Sequence, residues 1–215
     1  HPGSISQSQL LALVAAASNG NEPLKFQEGT NASGLSFVGL RLEGASFQGC
    51  VLRNCQFNNA QLTNADFTGT DLTGSDFSGS CLKGAKLLDS VSSQCKFRKT
   101  DLSHCELSGM DFSGLDLSFA SFAHAKMEQC NFAGANLSCA NLADAYACHS
   151  NFYNANVSSC DMKSAALRNS NFSASNCSFC DFEGADLRRA NFFDANISGA
   201  NFRRAHVASC NFAGT

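Results

Sequence analysis

Residues 181–215 read DFEGADLRRANFFDANISGANFRRAHVASCNFAGT, and from Asp181 the stretch falls into fives: DFEGA, DLRRA, NFFDA, NISGA, NFRRA, HVASC, NFAGT. An apolar residue stands second in every five. Five matches neither the helical period of 3.6 nor the strand period of 2. Stepped back from Phe212, the register holds to Phe37 through 36 consecutive pentapeptides without insertion or deletion. Most centres are Phe or Leu; the others are Ser92, Met127, Ala147, Val157, Met162, Cys177, Ile197 and Val207. Two residues before each centre stands Ala, Cys, Ser or Thr, with Leu35, Leu40, Met110 and Leu115 as exceptions. Asp or Asn usually stands just before the centre. Ser, Thr, Gly or a charged residue follows it.

Two inward and three outward positions per five residues require a quarter turn of the chain per pentapeptide. Four then close a square coil of 20 residues, and coils stack through parallel strand hydrogen bonds at about 4.8 Å. Nine coils make a rod of roughly 43 Å. Leu and Phe fill the axis, small residues fit the corners, and Gly and Asn suit turns that need positive φ.

The units ANLSC, ANLAD, ADLRR and ANFFD match the pattern A(D/N)Lxx letter for letter. On these motifs, residues 35–215 resemble the pentapeptide-repeat proteins. The resemblance implies an all-β fold, a right-handed quadrilateral parallel β-helix. It does not by itself imply a function, since one fold hosts many.

Residues 1–34 do not repeat and form a separate N-terminal segment. SQSQLLALVAAASNG predicts a short helix with Ser6 as N-cap and Gly20 as stop, its apolar face covering the first coil. A signal-peptide core is the rival reading, weakened by the lack of a basic segment before it. The chain starts at His1 without Met, so HPGS is expected to be a tag remnant or a processed end. With a net charge of −3, no direct nucleic-acid partner is expected. No apolar run approaches the roughly 20 residues of a membrane span, so no membrane partner is expected either.

Of the twelve cysteines, Cys50, Cys55, Cys95, Cys105, Cys130, Cys160, Cys180 and Cys210 take the small inward position. Cys177 takes a centre; Cys81, Cys139 and Cys148 point outward. Cysteines used as small hydrophobes predict free thiols and a reducing, cytoplasmic compartment. The CSFC spacing of Cys177 and Cys180 has no second pair and faces inward, so no metal is expected. Recognised catalytic motifs and cofactor loops are absent, and no cofactor is expected. His104, His124 and Asp144, spaced by 20, form one outward column, read either as a shared metal or proton site or as solvated side chains.

Each side of the coil can be named by its first centre. In the C-terminal half, the Leu52 face carries Asn131, Asn151, Asn171, Asn191 and Asn211, with Tyr153 and Phe193 beside them and Asp194 as its one charge. The adjoining Phe37 face carries Asn136, Asn156, Asn176 and Asn196, with Phe119 and Phe179 outward. Charges gather on the other two faces: Lys163, Glu183, Arg203 and Arg204 on one, Arg168, Asp186, Arg188 and Arg189 on the other. Two neutral faces bearing aromatics suit contact with a protein. The plain alternative is that the Asn and Ser ladders only satisfy turns. The partner site is therefore placed at Tyr153, Phe193, Phe179, Phe119, Asn151, Asn171 and Asn191.

The expected function is a non-enzymatic scaffold that presents flat faces to an unknown protein partner. Two alternatives follow from the resemblance: a DNA mimic that binds DNA gyrase, or the repeat domain of a secreted bacterial effector. The mimic wants a strongly acidic surface, which this chain lacks. The last coil closes on CNFAGT with nothing to cover its edge, so a homodimer through that coil, or a chain trimmed from a longer protein, is expected. The Ser92 coil, with its undersized centre, is the expected weak point.

Overall fold

The computed structural model describes residues 3–215; the His1 and Pro2 part of the HPGS stretch lies outside them. The chain forms two compact units, His1–Asp101 and Leu102–Thr215. In both, a five-residue step repeats: a bridge residue, an inward centre, a two-residue turn and an inward corner. The corner N–H closes the turn onto the centre's carbonyl, as Ala135 does onto Phe132 at 3.0 Å. Every fifth residue from Gly29 to Gly214 has positive φ. A positive φ only at the second turn residue is the sign pattern of a type II turn. Four turns bring the chain back over itself. Parallel bridges therefore join residues 20 apart, Gln56 to Asp76 in the first unit and Asn131 to Asn151 in the second. Each coil is thus four-sided.

The first unit opens with helix α1, Gln7–Gly20. Ser6 caps it as the sequence suggests: its hydroxyl accepts from the Gln9 N–H, and the Gln9 side chain accepts from the Ser6 N–H, a capping box. The helix stops at Asn21, not through Gly20. Asn21 adopts the left-handed conformation at φ 55°, which its short polar side chain tolerates. Coil geometry then begins before Leu35. Lys25 bridges to Ser46 and Asn31 to Val51; Phe26 stacks on Phe47 at 5.3 Å, and Ala32 is a buried centre. The pentapeptide register breaks here because a 21-residue spacing precedes the 20-residue one, a one-residue bulge. An alanine centre hides the step that follows.

Phenylalanines stack down the axis of this unit, Phe37 on Phe57 at 4.4 Å and Phe57 on Phe77 at 4.7 Å. Rings on adjoining faces meet edge-on, as Phe57 and Phe67 do at 5.8 Å. Both geometries suit the ring quadrupole. The Ser92 coil is chemically the odd one. Ser92 occupies a buried centre, Leu88 and Val91 are each 50% exposed, and the buried Ser90 hydroxyl has no hydrogen-bond partner among the described residues.

The second unit has one wall of stacked phenylalanines: Phe112, Phe132, Phe152, Phe172, Phe192 and Phe212, with centroids 4.6–5.2 Å apart. Its corners show why Cys and Ser substitute for Ala. The Cys130 thiol donates to the Leu107 carbonyl at 3.0 Å, and the Ser150 hydroxyl donates to that of Met127 at 2.7 Å. These two corner donors tie a coil to the one before it, whereas the Ser175 hydroxyl bonds the Phe172 carbonyl of its own turn. All twelve cysteines are free. Burial pushes the Cys55 thiol up to about 11 and that of Cys130 to about 12, so these thiols stay protonated. No helix among the described residues is long and apolar enough to cross a membrane.

Candidate interaction faces

All seven expected partner residues, and the histidine column, lie in the second unit. Its Asn columns form continuous side-chain ladders. On the Leu52 face, Asn151 Nδ2 donates to Asn131 Oδ1 at 3.1 Å, Asn171 to Asn151 at 3.2 Å, and Asn191 to Asn171 at 3.3 Å. Each Oδ1 also accepts the main-chain N–H two residues on, as Asn151 does from Tyr153 and Asn191 from Phe193, both at 3.1 Å. The Phe37 face repeats this with Asn136, Asn156, Asn176 and Asn196. Both ladders start on an aspartate that only accepts, Asp111 under Asn131 and Asp116 under Asn136.

The chemistry explains the choice of residue. The position needs an acceptor for the turn N–H, which Asp or Asn supplies. Stacked carboxylates about 4.8 Å apart would repel; an amide accepts within its own coil and donates to the previous one. Asn151, Asn171 and Asn191 are therefore held in place by structural bonds, with one Nδ2 hydrogen of each left over. The sequence marks these columns; it does not show the bonds between coils.

The aromatics differ in kind from the ladders. Phe179 is 70% exposed, Tyr153 51%, Phe119 50% and Phe193 46%. Phe119 and Phe179 occupy the left-handed turn position, at φ 61° and 58°, where a bulky side chain is strained. Gly199, one coil on, leaves room for the Phe179 ring: a Cβ at Gly199 would lie 2.7 Å from it. Tyr153 and Phe193 share one column two coils apart and do not touch. These rings are brought onto two adjoining faces without burying one another.

The profile of the pentapeptide repeats family matches eight overlapping segments between residues 41 and 207, and the 20-residue coil gives that match its geometry. The chain belongs to this family. Among solved structures, the full-length plasmid-mediated fluoroquinolone resistance protein QnrB1 is similar at a TM-score of 0.58 and 19% identity, over 84% of this chain and 92% of that one. HetL, a pentapeptide repeat protein involved in heterocyst differentiation regulation in the cyanobacterium Nostoc sp. strain PCC 7120, matches at 23% identity over 97% and 98% of the two chains, with a TM-score of 0.34. No curated protein sequence matches the chain.

On the other two faces of this pentapeptide repeat unit, several charges pair with neighbours on their own face. Arg188 grips Asp186 through Nε at 2.8 Å and a terminal nitrogen at 2.7 Å, and Arg168 bonds the same carboxylate. The Arg188 guanidinium, joined by that of Arg168, holds Asp186 far below the usual carboxylate range. Lys163 lies 3.1 Å from Asp181. In the histidine column, His104 and His124 stack at 4.9 Å with 16° between planes, and His124 Nε2 is 4.0 Å from Asp144. The three side chains meet as stacked, half-exposed groups. Among the described residues no His, Cys, Asp or Glu cluster is arranged to hold a metal ion. Cys177 and Cys180 are buried, as their inward positions suggest.

Proposed function

We propose that this chain is a non-enzymatic protein-interaction scaffold, a right-handed β-helix whose neutral faces in the second unit receive a protein partner in a reducing compartment. The observation that carries this reading is Phe179. A large apolar ring stands 70% exposed at φ 58°, in a turn position where Gly or Asn would be more stable. Strain and exposure at a single large ring cost stability, which supports selection for a contact outside the fold. Tyr153 and Phe193 extend the same neutral surface, and aromatics are the residue class that anchors protein interfaces. The ladders keep that surface flat and its main-chain groups satisfied. The test is binding to a partner identified by affinity capture: Tyr153→Asp with Phe193→Asp weakens it, while charge reversals at Arg188 and Arg203 leave it intact.

The likeness in fold to full-length QnrB1 keeps a second reading, a DNA mimic acting on gyrase. The charge pattern argues against it. Three aspartates of the first unit are paired with a cation, Asp71 with Arg53 at 2.6 Å, Asp76 with Lys96 at 3.7 Å and Asp66 with Lys86 at 3.8 Å, and the second unit uses Asn where a mimic needs carboxylates. A gyrase supercoiling assay separates the two, with inhibition by the purified chain supporting the mimic.

A further inference from the structure

The edge of the first coil is four-sided, and three sides are closed by chemically distinct means. At Asn31 the N-terminal segment adds a strand: Ser4 bridges to it, and the Ile5 N–H donates to the Asn31 carbonyl at 3.0 Å. At Ser36 the Gln7 carboxamide stands in for a peptide. Its Oε1 accepts the Ser36 N–H and its Nε2 donates to the Ser36 carbonyl, both at 2.8 Å. At Ser46 the chain pairs with itself, the Ser46 N–H donating to Leu24 at 2.8 Å and the Phe26 N–H to the Ser46 carbonyl at 3.0 Å. Arg41 is the fourth side. No group among the described residues bonds its main-chain N–H or C=O.

A groove of about 500 Å³ opens there, between the end of α1 and the coil. Val14, Ala17, Leu24 and Leu42 supply apolar surface, with Glu22, Glu43 and Arg41 also lining the groove. The Arg41 Nε lies 3.5 Å from Glu43 Oε1, so among the described residues Glu22 is the groove carboxylate without a cation beside it. The helix has no basic residue in its last turn, so its carbonyl end adds to the negative side.

We propose that this groove binds an extended peptide by strand addition to Arg41, with an aliphatic side chain in the groove and a basic residue facing Glu22. The Gln7 bonds define the chemistry an occupant must offer, a carbonyl oxygen and an N–H side by side. With Glu43 shared with Arg41, Glu22 and the carbonyl end of the helix leave the groove net negative and select a basic peptide over an acidic one. The site lies in the first unit and is independent of the aromatic faces.

The probe is an N-acetylated, C-amidated peptide of alternating Val and Lys, titrated into the full chain. Saturable binding is expected, with hydrogen exchange at the Arg41 amide slowed at least tenfold. Glu should replace Lys with loss of binding. N-methylation of the central amide, or Val14→Arg on the helix, should weaken binding at least about tenfold, the equivalent of about 1.4 kcal/mol, with an unchanged melting curve. The proposal is overturned by an Arg41 amide already protected in the free chain, by no saturation at millimolar peptide, or by binding that ignores both N-methylation and Val14→Arg.

Discussion

Phe179 carries a cost that a glycine at the same position would not. Relief of a bulky side chain at positive φ is worth on the order of 1 kcal/mol, so Phe179→Gly should leave thermal stability unchanged or raise it while weakening partner binding. A fall in melting temperature of several degrees would make Phe179 a packing residue. Ser90 makes the opposite kind of prediction. Its buried hydroxyl has no hydrogen-bond partner among the described residues, and Ala is the commonest corner residue. Ser90→Ala should stabilise the fold by about 1 kcal/mol in urea unfolding. Asp186 tests the charged faces. Its folded pKa is depressed from an ordinary value near 3.8, first through the hydrogen bonds from Arg188. The stabilisation it gives is therefore complete above the unfolded value and lost as pH falls through the folded one. In a carboxyl-carbon NMR titration, Arg188→Gln should move the Asp186 midpoint upward; an unmoved midpoint would mean the contact is not populated.

Ladders and caps are the elements that turn these residues into a surface. Asn171→Ala removes two inter-coil bonds and two bonds from Ser173, its main-chain N–H and its hydroxyl, and at about 1 kcal/mol per net bond it should cost on the order of 2–4 kcal/mol. Asn171→Asp keeps the turn acceptor and loses the donor, so it should stay less stable than wild type at neutral pH. Gln7→Ala should release the Ser36 amide to fast hydrogen exchange and leave exchange at Phe172, deep in the second unit, unchanged. Much of this was legible in the sequence. The five-residue register gives the coil, the inward Cys positions give free buried thiols, and Ser6 gives the N-cap. Three features were not legible. The bulge between Lys25 and Asn31 breaks the period; the Gln7 carboxamide acts as a strand, which no pattern of apolar residues reports; and bonds between Asn residues 20 apart appear only once the chain is coiled.

For the molecule as a whole, the inward corners make a prediction about chemistry in solution. Thiol alkylation followed by mass analysis should modify the exposed Cys139 first and the half-buried Cys81 and Cys148 next. Cys50, Cys55, Cys95, Cys105, Cys130, Cys160, Cys177 and Cys180 are buried and should react only after unfolding. Burial removes access, and in Cys95 it pushes the thiol up to about 12, which removes the reactive thiolate as well. On the proposed reading, one pair of faces, neutral and aromatic, binds protein, and the charged pair does not. Calorimetric titration of the captured partner into wild type, Tyr153→Asp with Phe193→Asp, and Arg188→Glu with Arg203→Glu tests it most directly. At least tenfold weaker binding is expected for the aromatic pair alone, with all three chains equally folded by circular dichroism. Full affinity in the aromatic variant, with loss in the arginine variant, would contradict it.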